Sequence, residues 1–287
     1  MPRWAYVNGR YVRHRDAAVH IEDRGYQLAD GVYEVCQVLG GHAVDERLHM
    51  DRLERSLREL EIRMPMPRTA FSFVQRELIS RNRIRDGLVY MQVTRGVAPR
   101  DHVFPAAGVR PAVVMTAKSI DAAAGERTAA RGVAVITVPE NRWGRVDIKS
   151  IGLLPNVLAR EAAKRAGARE AWFVDRDGFV TEGAATNAWI VTMDGTIVTR
   201  PAEFGILRGI TRTVVLQVAA NLGLKVEERA FTPGEAKAAR EAFITAATQI
   251  VMPVVRIDDA TVANGEPGTV AQELRRHFFE VAEISIF

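Results

Sequence analysis

The chain has 287 residues, 47% of them hydrophobic and 26% charged, with a formal net charge of only +4. That mix excludes a disordered polymer, and arginines spread along the whole chain among Glu and Asp argue against a concentrated basic surface for nucleic acid. No apolar run reaches the ~18–20 residues of a membrane-spanning helix, and the lone cysteine, Cys36, excludes an internal disulfide. We expect a cytoplasmic, metal-free protein that contacts neither nucleic acid nor membrane.

The first segment, WAYVNGRYV, predicts a hairpin turning at Asn8-Gly9. Strands over 32–39 and 42–44 flank Gly40-Gly41 in a second hairpin. Leu48, Leu53, Leu57 and Leu60 recur at helical spacing, which predicts a helix over 46–62, and a second helix follows over about 67–82. Strands over 89–95 and 111–118 close an α+β half covering residues 1–118. The small, polar run SIDAAAGERTAA lacks apolar periodicity and reads as an interdomain linker, 119–131. Residues 132–287 then read as a larger domain. Its predicted strands cover 132–139, 171–175, 180–182, 188–192, 196–199, 243–245 and 252–257, and its predicted helices 154–166, 211–222 and 270–281. The expected fold class is therefore mixed α+β / α/β in two domains.

Lysine is scarce: of 39 basic residues only Lys118, Lys149, Lys164, Lys225 and Lys237 carry a titratable amine. Four of these sit in surface-like polar surroundings or at a strand end. Lys149 lies in RVDIKSIGLLPNVLAR, between Ile148 and Ile151 and just ahead of helix signals at Pro155. An amine so placed can point into a cleft, where burial disfavours its charge and frees it as a nucleophile. Spacing alone leaves an exposed loop lysine open. Glu182, in FVTEGAATNAWI, reads either as part of a polar turn or as a carboxylate held against a cationic ring nitrogen. FGILRGITRTVVLQ feeds Gly205 and Gly209 into a helix start at Ile210 and Thr211, and ITAATQIVMP sets Thr248 after a strand. Both suit a phosphate, and each alone is a weak signal. In the first half, Tyr33 and Arg52 also fit a packed tyrosine and a solvated helix arginine. Arg100 and His102, in TRGVAPRDHVFP, form a pair suited to a carboxylate or an ordinary exposed loop. The other five histidines have no metal-ligand spacing.

Seven stretches in order carry a resemblance: DRGYQLADGVYE, LHMDRLERS, QVTRGVAPRDHVFP, DIKSIGLLPNVLAR, VTEGAATN, ILRGITR and TAATQIVMPV. Across nearly its whole length the chain resembles the pyridoxal-phosphate-dependent aminotransferases of fold type IV, most of all their D-amino-acid group. The resemblance implies two domains with pyridoxal 5'-phosphate between them. It implies that Lys149 is the Schiff-base lysine and general acid/base, and that Glu182 partners the pyridine nitrogen. Arg52, Ile210, Thr211 and Thr248 would bind the phosphate, and Leu207 would pack on the ring. Tyr33, Arg100 and His102 would trap the substrate carboxylate, the last two reaching a neighbouring subunit's site, so a homodimer is expected. Departures fall at Gly152 and at Ala247 and Gln249, where relatives often carry larger or hydroxyl-bearing residues.

The implied reaction moves an amino group from a D-amino acid such as D-alanine to a 2-oxo acid such as 2-oxoglutarate in ping-pong order. A branched-chain L-amino-acid aminotransferase, an R-selective amine transaminase, an aminodeoxychorismate lyase and a non-catalytic binding protein are the alternatives. The Arg100/His102 pair argues against the first, and intact Lys149 and Glu182 argue against the last.

Overall fold

The computed structural model describes residues 3–203 and 205–285. The chain divides into two compact units: Met1–Asp121 with Ile148–Gly152 and Glu283–Phe287, and Ala122–Asp147 with Leu153–Ala282.

In the first unit, β1 (Trp4–Val7) and β2 (Arg10–Arg13) turn at Asn8 and Gly9, both left-handed at φ 45° and 92°, the conformation an Asn-Gly hairpin turn demands. Helix α1 (Arg24–Leu28) precedes β3 (Gly31–Leu39) and β4 (His42–Ala43). Helices α2 (Glu46–Glu59) and α3 (Arg68–Arg81) lead to β5 (Gly87–Thr94) and β6 (Ala112–Ser119). The antiparallel sheet runs β2-β1-β6-β5-β3-β4. Alternation along β3 puts Val32, Glu34, Cys36 and Val38 on the buried face and Tyr33, Val35 and Gln37 on the half-buried one. The buried face joins one core with Met50, Leu53 and Leu57 of α2 and Phe71 and Leu78 of α3.

The second unit opens with α4 (Ala122–Ala129) and β7 (Val133–Pro139). Helix α5 (Leu154–Arg165) leads to β8 (Glu170–Val174), β9 (Val180–Gly183), β10 (Asn187–Val191) and β11 (Ile197–Thr199). Then come α6 (Ile210–Asn221), β12 (Val226–Glu228), α7 (Pro233–Lys237), β13 (Glu241–Ala246), β14 (Ile250–Ile257), β15 (Ala260–Thr261) and α8 (Thr269–Val281). The mixed sheet runs β12-β11-β10-β13-β14-β7-β8-β9, with β15 on β14. Its interior strand β10, between β11 and β13, is buried at every residue, as a strand covered on both faces must be. Trp189 of β10 stacks on Phe243 of β13 at 5.4 Å between centroids.

Two boundary expectations need correction. The stretch 119–131 is not a bare linker, because it contains α4. Alanine is the best helix former yet gives no large apolar face, so periodicity overlooks such a helix. Glu126 anchors it through an ion pair with Arg275 of α8 at 2.6 Å. The Lys149 segment, expected within 132–287, belongs to the first unit, as does the chain from Glu283 onward. Strand β4 is two residues long and leaves the Gly31–Tyr33 end of β3 unpaired on that side. Ile148–Gly152 fills this edge: Tyr33 N–H donates to Lys149 O (3.0 Å) and Ile151 N–H donates to Gly31 O (3.1 Å).

Candidate active site

Lys149 owes its position to register. Ser150 bridges Val32 antiparallel, so Lys149 lies opposite Tyr33 with both side chains on one face of the sheet. Its Nζ stands 4.3 Å from the Tyr33 ring centroid, a cation–π distance. Tyr33 stacks on Tyr90 at 5.6 Å. Burial and the neighbouring Tyr33 push the Tyr90 hydroxyl up to about 12, which keeps it a neutral donor to Gln92 Oε1 at 2.6 Å. Lys149 N–H also meets Ser56 Oγ at 3.4 Å. Ser56 lies four residues after Arg52 on α2, one helical turn away.

Arg52 is gripped rather than solvated. Its Nε and Nη2 donate to Oε1 and Oε2 of Glu34, both at 2.8 Å, and His49 Nδ1 lies 2.7 Å from Glu34 Oε2. Glu34 is 0% exposed. Burial alone would raise its carboxyl, but the charge and hydrogen bonds of Arg52, aided by His49, bring it down to about 2. Neither Glu34 nor His49 stands out in the sequence, although both lie inside the motifs DGVYE and LHMDRLERS.

Glu182, on β9, is 5% exposed and held on both oxygens. Arg142 Nη1 donates to Oε1 at 2.6 Å and Asn187 Nδ2 to Oε2 at 3.0 Å. Leu207 N–H reaches both oxygens at 3.1 and 3.2 Å. Arg142 also forks onto Glu140 through Nε (2.9 Å) and Nη2 (2.6 Å), and its guanidinium lies 4.4 Å from the Phe173 ring centroid. Burial would lower the Arg142 guanidinium, but Glu140 and Glu182 hold it above its ordinary value. The Glu140 carboxyl, raised by burial, is drawn below the usual range by Arg142. Arg142 and Asn187, which hold the Glu182 carboxylate, were passed over by sequence reading; the signals were Glu140-Asn141-Arg142 and the last residue of VTEGAATN.

Asn187 gathers the remaining second-unit residues. Its Nδ2 also donates to Leu207 O at 3.0 Å, and a Cβ on Gly209 would come within 2.1 Å of its Oδ1. Gly209 is the N-cap of α6 and offers no side-chain acceptor. The first N–H groups of that helix, at buried Ile210 and Thr211, therefore suit a bound anion. Thr186 Oγ1, close to the backbone of Gly183, is buried with no hydrogen-bond partner. Asn187 pairs with Thr245 across β10 and β13, which puts the following turn, with exposed Thr248, at the same sheet end. These residues fit a phosphate and a protonated ring nitrogen, the two ends of the cofactor expected from the sequence.

Arg100 and His102 lie exposed in the loop between β5 and β6. Thr94, where β5 ends, pairs with Gly31, so this loop springs from the sheet end that the Lys149 segment edges. The first unit thus collects Lys149, Tyr33, Arg52, Arg100 and His102, and the second collects Glu182, Leu207, Ile210, Thr211 and Thr248.

Residues 31–257 match the family described as amino-transferase class IV. The chain is 41% identical to a D-alanine aminotransferase of Bacillus licheniformis over 268 residues, 93% of each chain. It is 39% identical to one of Listeria innocua over 279 residues, 96% of this chain and 94% of that one. Among solved structures, an Escherichia coli branched-chain amino acid aminotransferase superposes with TM-score 0.88 at 25% identity, covering 98% of this chain and 95% of that one. A pyridoxal-phosphate-bound hypothetical aminotransferase from Mycobacterium tuberculosis shares the fold at TM-score 0.84 and 20% identity, covering 97% and 98%.

Proposed function

Because the chain belongs to the class IV aminotransferases, enzymes of pyridoxal phosphate, we propose that it moves the amino group of a D-amino acid such as D-alanine to a 2-oxo acid such as 2-oxoglutarate. The observation that carries this choice is identity of 41% over 93% of the chain to a protein named D-alanine aminotransferase. Likeness to a branched-chain enzyme stands at 25%.

When bound, pyridoxal phosphate supplies the electron sink that lets a donor's Cα–H bond ionise. Everything else falls to side chains of this protein. Lys149 would hold the cofactor, and its Nζ is the group that would take the donor's Cα proton and return one. Glu182, fixed by Arg142, Asn187 and Leu207 N–H, would partner the ring nitrogen. Arg52, with its fork on Glu34, and Thr211, Thr248 and the Ile210 end of α6 are the residues that would hold the phosphate, and Leu207 would pack on the ring. Tyr33, Arg100 and His102 hold the donor's α-carboxylate, which decides which Cα–H faces Lys149. The exposure of Arg100 and His102 suits their reaching a second copy's site, and we infer a homodimer working in the cytoplasm.

A donor panel tests the reading: D-alanine, L-leucine and (R)-1-phenylethylamine, each with 2-oxoglutarate. D-alanine is expected to exceed both others in kcat/KM, and preference for either competitor refutes the D-amino-acid assignment. Lys149→Ala is expected to abolish turnover and the visible absorbance of covalently held cofactor. Wild-type turnover in that variant removes Lys149 from the mechanism.

A further inference from the structure

The loop carrying Arg100 and His102 is fastened by residues distant in sequence. At its base, Gly96 adopts φ 106°, and a Cβ there would come within 2.1 Å of the Arg110 carbonyl oxygen. The outgoing and returning stems therefore pass in backbone contact. Arg24 N–H donates to Gly96 O at 2.9 Å. The Arg24 side chain, only 3% exposed, then spans two anchors. Its Nη1 donates to the carbonyl of Asp101, the residue between Arg100 and His102, at 2.6 Å. Its Nε donates to Asp30 Oδ2 at 2.8 Å. The same oxygen takes Nε of Arg95 at 2.7 Å. Arg95 donates further to the carbonyls of Glu61 and Leu60 at 3.2 and 2.7 Å, and its Cζ lies 3.7 Å from the Phe104 ring centroid. One carboxylate thus ties together two arginines. One of them holds the middle of the Arg100–His102 turn, and the other lies against its far side.

We propose that Arg24, Asp30 and Arg95 are positioning residues for substrate-carboxylate recognition: they set the Arg100–His102 turn from below, and Asp30 fixes both guanidinium groups. The inference rests on the reading that Arg100 and His102 hold the donor's carboxylate. Arg24 Nε already satisfies Asp30, so the Nη1 bond to Asp101 is not needed for pairing that carboxylate; it acts on the turn. Lysine cannot serve both anchors, because it lacks the planar fork. A misplacement of about 1 Å at such a turn can cost on the order of 100-fold.

The test measures KM and kcat for D-alanine on the holoenzyme of the parent, Arg24→Met, Arg100→Ala and the double variant, with the cofactor's visible absorbance recorded for each. Arg24→Met is expected to raise KM roughly tenfold, with kcat within about threefold and the absorbance unchanged. The double variant is expected to be no worse than Arg100→Ala alone, because Arg24 acts through that loop. A parental KM in Arg24→Met beside a raised KM in Arg100→Ala overturns this inference alone, as do effects that multiply in the double variant. A parental KM in Arg100→Ala overturns the loop's role and the inference with it. If Arg24→Met does not fold, Phe104→Ala decides from the half-exposed side of the clamp. It is expected to raise KM about threefold without adding to Arg100→Ala, and a parental KM overturns the proposal.

Discussion

Glu34 carries its charge at a position with no solvent exposure. It is tolerable there because both oxygens are occupied by Arg52 and His49, and removing one member of such a buried pair leaves an uncompensated charge. Glu34→Gln leaves the Arg52 guanidinium without its counter-charge and should cost roughly 3–5 kcal/mol in urea unfolding. The pH dependence has a definite sign. The Glu34 carboxyl titrates near 2 when folded against an ordinary value of 4.5, so the folded state binds this proton less readily than the unfolded one. Its stabilisation is complete above the ordinary value and is lost as pH falls toward 2. The difference in unfolding free energy between parent and Glu34→Gln should therefore shrink across that window. A constant difference from pH 5 to pH 2 would rule out an ionised Glu34 in the fold. The residue also shows what a polarity pattern misreads. In β3 the aromatic Tyr33 lies on the half-buried face and the acid Glu34 on the core face, the inverse of the usual expectation for a half-buried strand.

At the scale of elements, the beginning of α6 makes the sharpest demand. Gly209 is required there because a side chain would strike the Asn187 amide, and Asn187 holds both Glu182 and the Leu207 carbonyl. Gly209→Ala should displace Asn187, loosen Glu182 and disturb the uncapped helix end together. We expect cofactor affinity to fall by about tenfold or more, from one lost buried hydrogen bond of about 1.5–3 kcal/mol to a charged group. Dialysis of the holoenzyme against cofactor-free buffer, followed by absorbance, reads this directly. Retention equal to the parent would mean that Asn187 can move without consequence. The helices over 46–59, 68–81, 210–221 and 269–281 were legible because large apolar residues recur along them. Helices α1 and α7 were not, since five residues are too few to show a period. The candidate site was legible where a residue type is rare or chemically pointed: one lysine in an apolar setting, one glutamate before small residues. Arg142 was not, because 34 arginines, the remainder after five lysines among 39 basic residues, hide any single one.

Neither unit is a single contiguous stretch of the chain. The chain passes from one unit to the other after Asp121, after Asp147, after Gly152 and after Ala282. Sequence order alone suggests a cut near residue 120, because contiguity is the only grouping a linear reading has. The first unit needs its distant pieces for physical reasons. Ile148 is 3% exposed in the core that holds Leu53 and Phe71. The Lys149 strand satisfies the backbone of Gly31 and Tyr33. Glu283 exchanges bonds with Asp45, its carbonyl accepting at 2.7 Å and its N–H donating to Oδ1 at 2.9 Å, and Ser285 N–H reaches Ala43 O at 3.0 Å. A fragment ending at Asp121 would therefore expose an unpaired strand edge, a known route to aggregation, and would lose a buried isoleucine worth about 1.5–3 kcal/mol. Such a fragment should show a broad or absent urea transition. Appending residues 148–152 and 283–285 through flexible glycine-serine linkers should restore a cooperative one, since added loop length costs only about 0.6 kcal/mol per doubling. Equal midpoints for the bare and the supplemented fragment would mean that the first unit folds without the strand that carries Lys149. The lysine's position would then be a consequence of the second unit's folding rather than of the β3 edge.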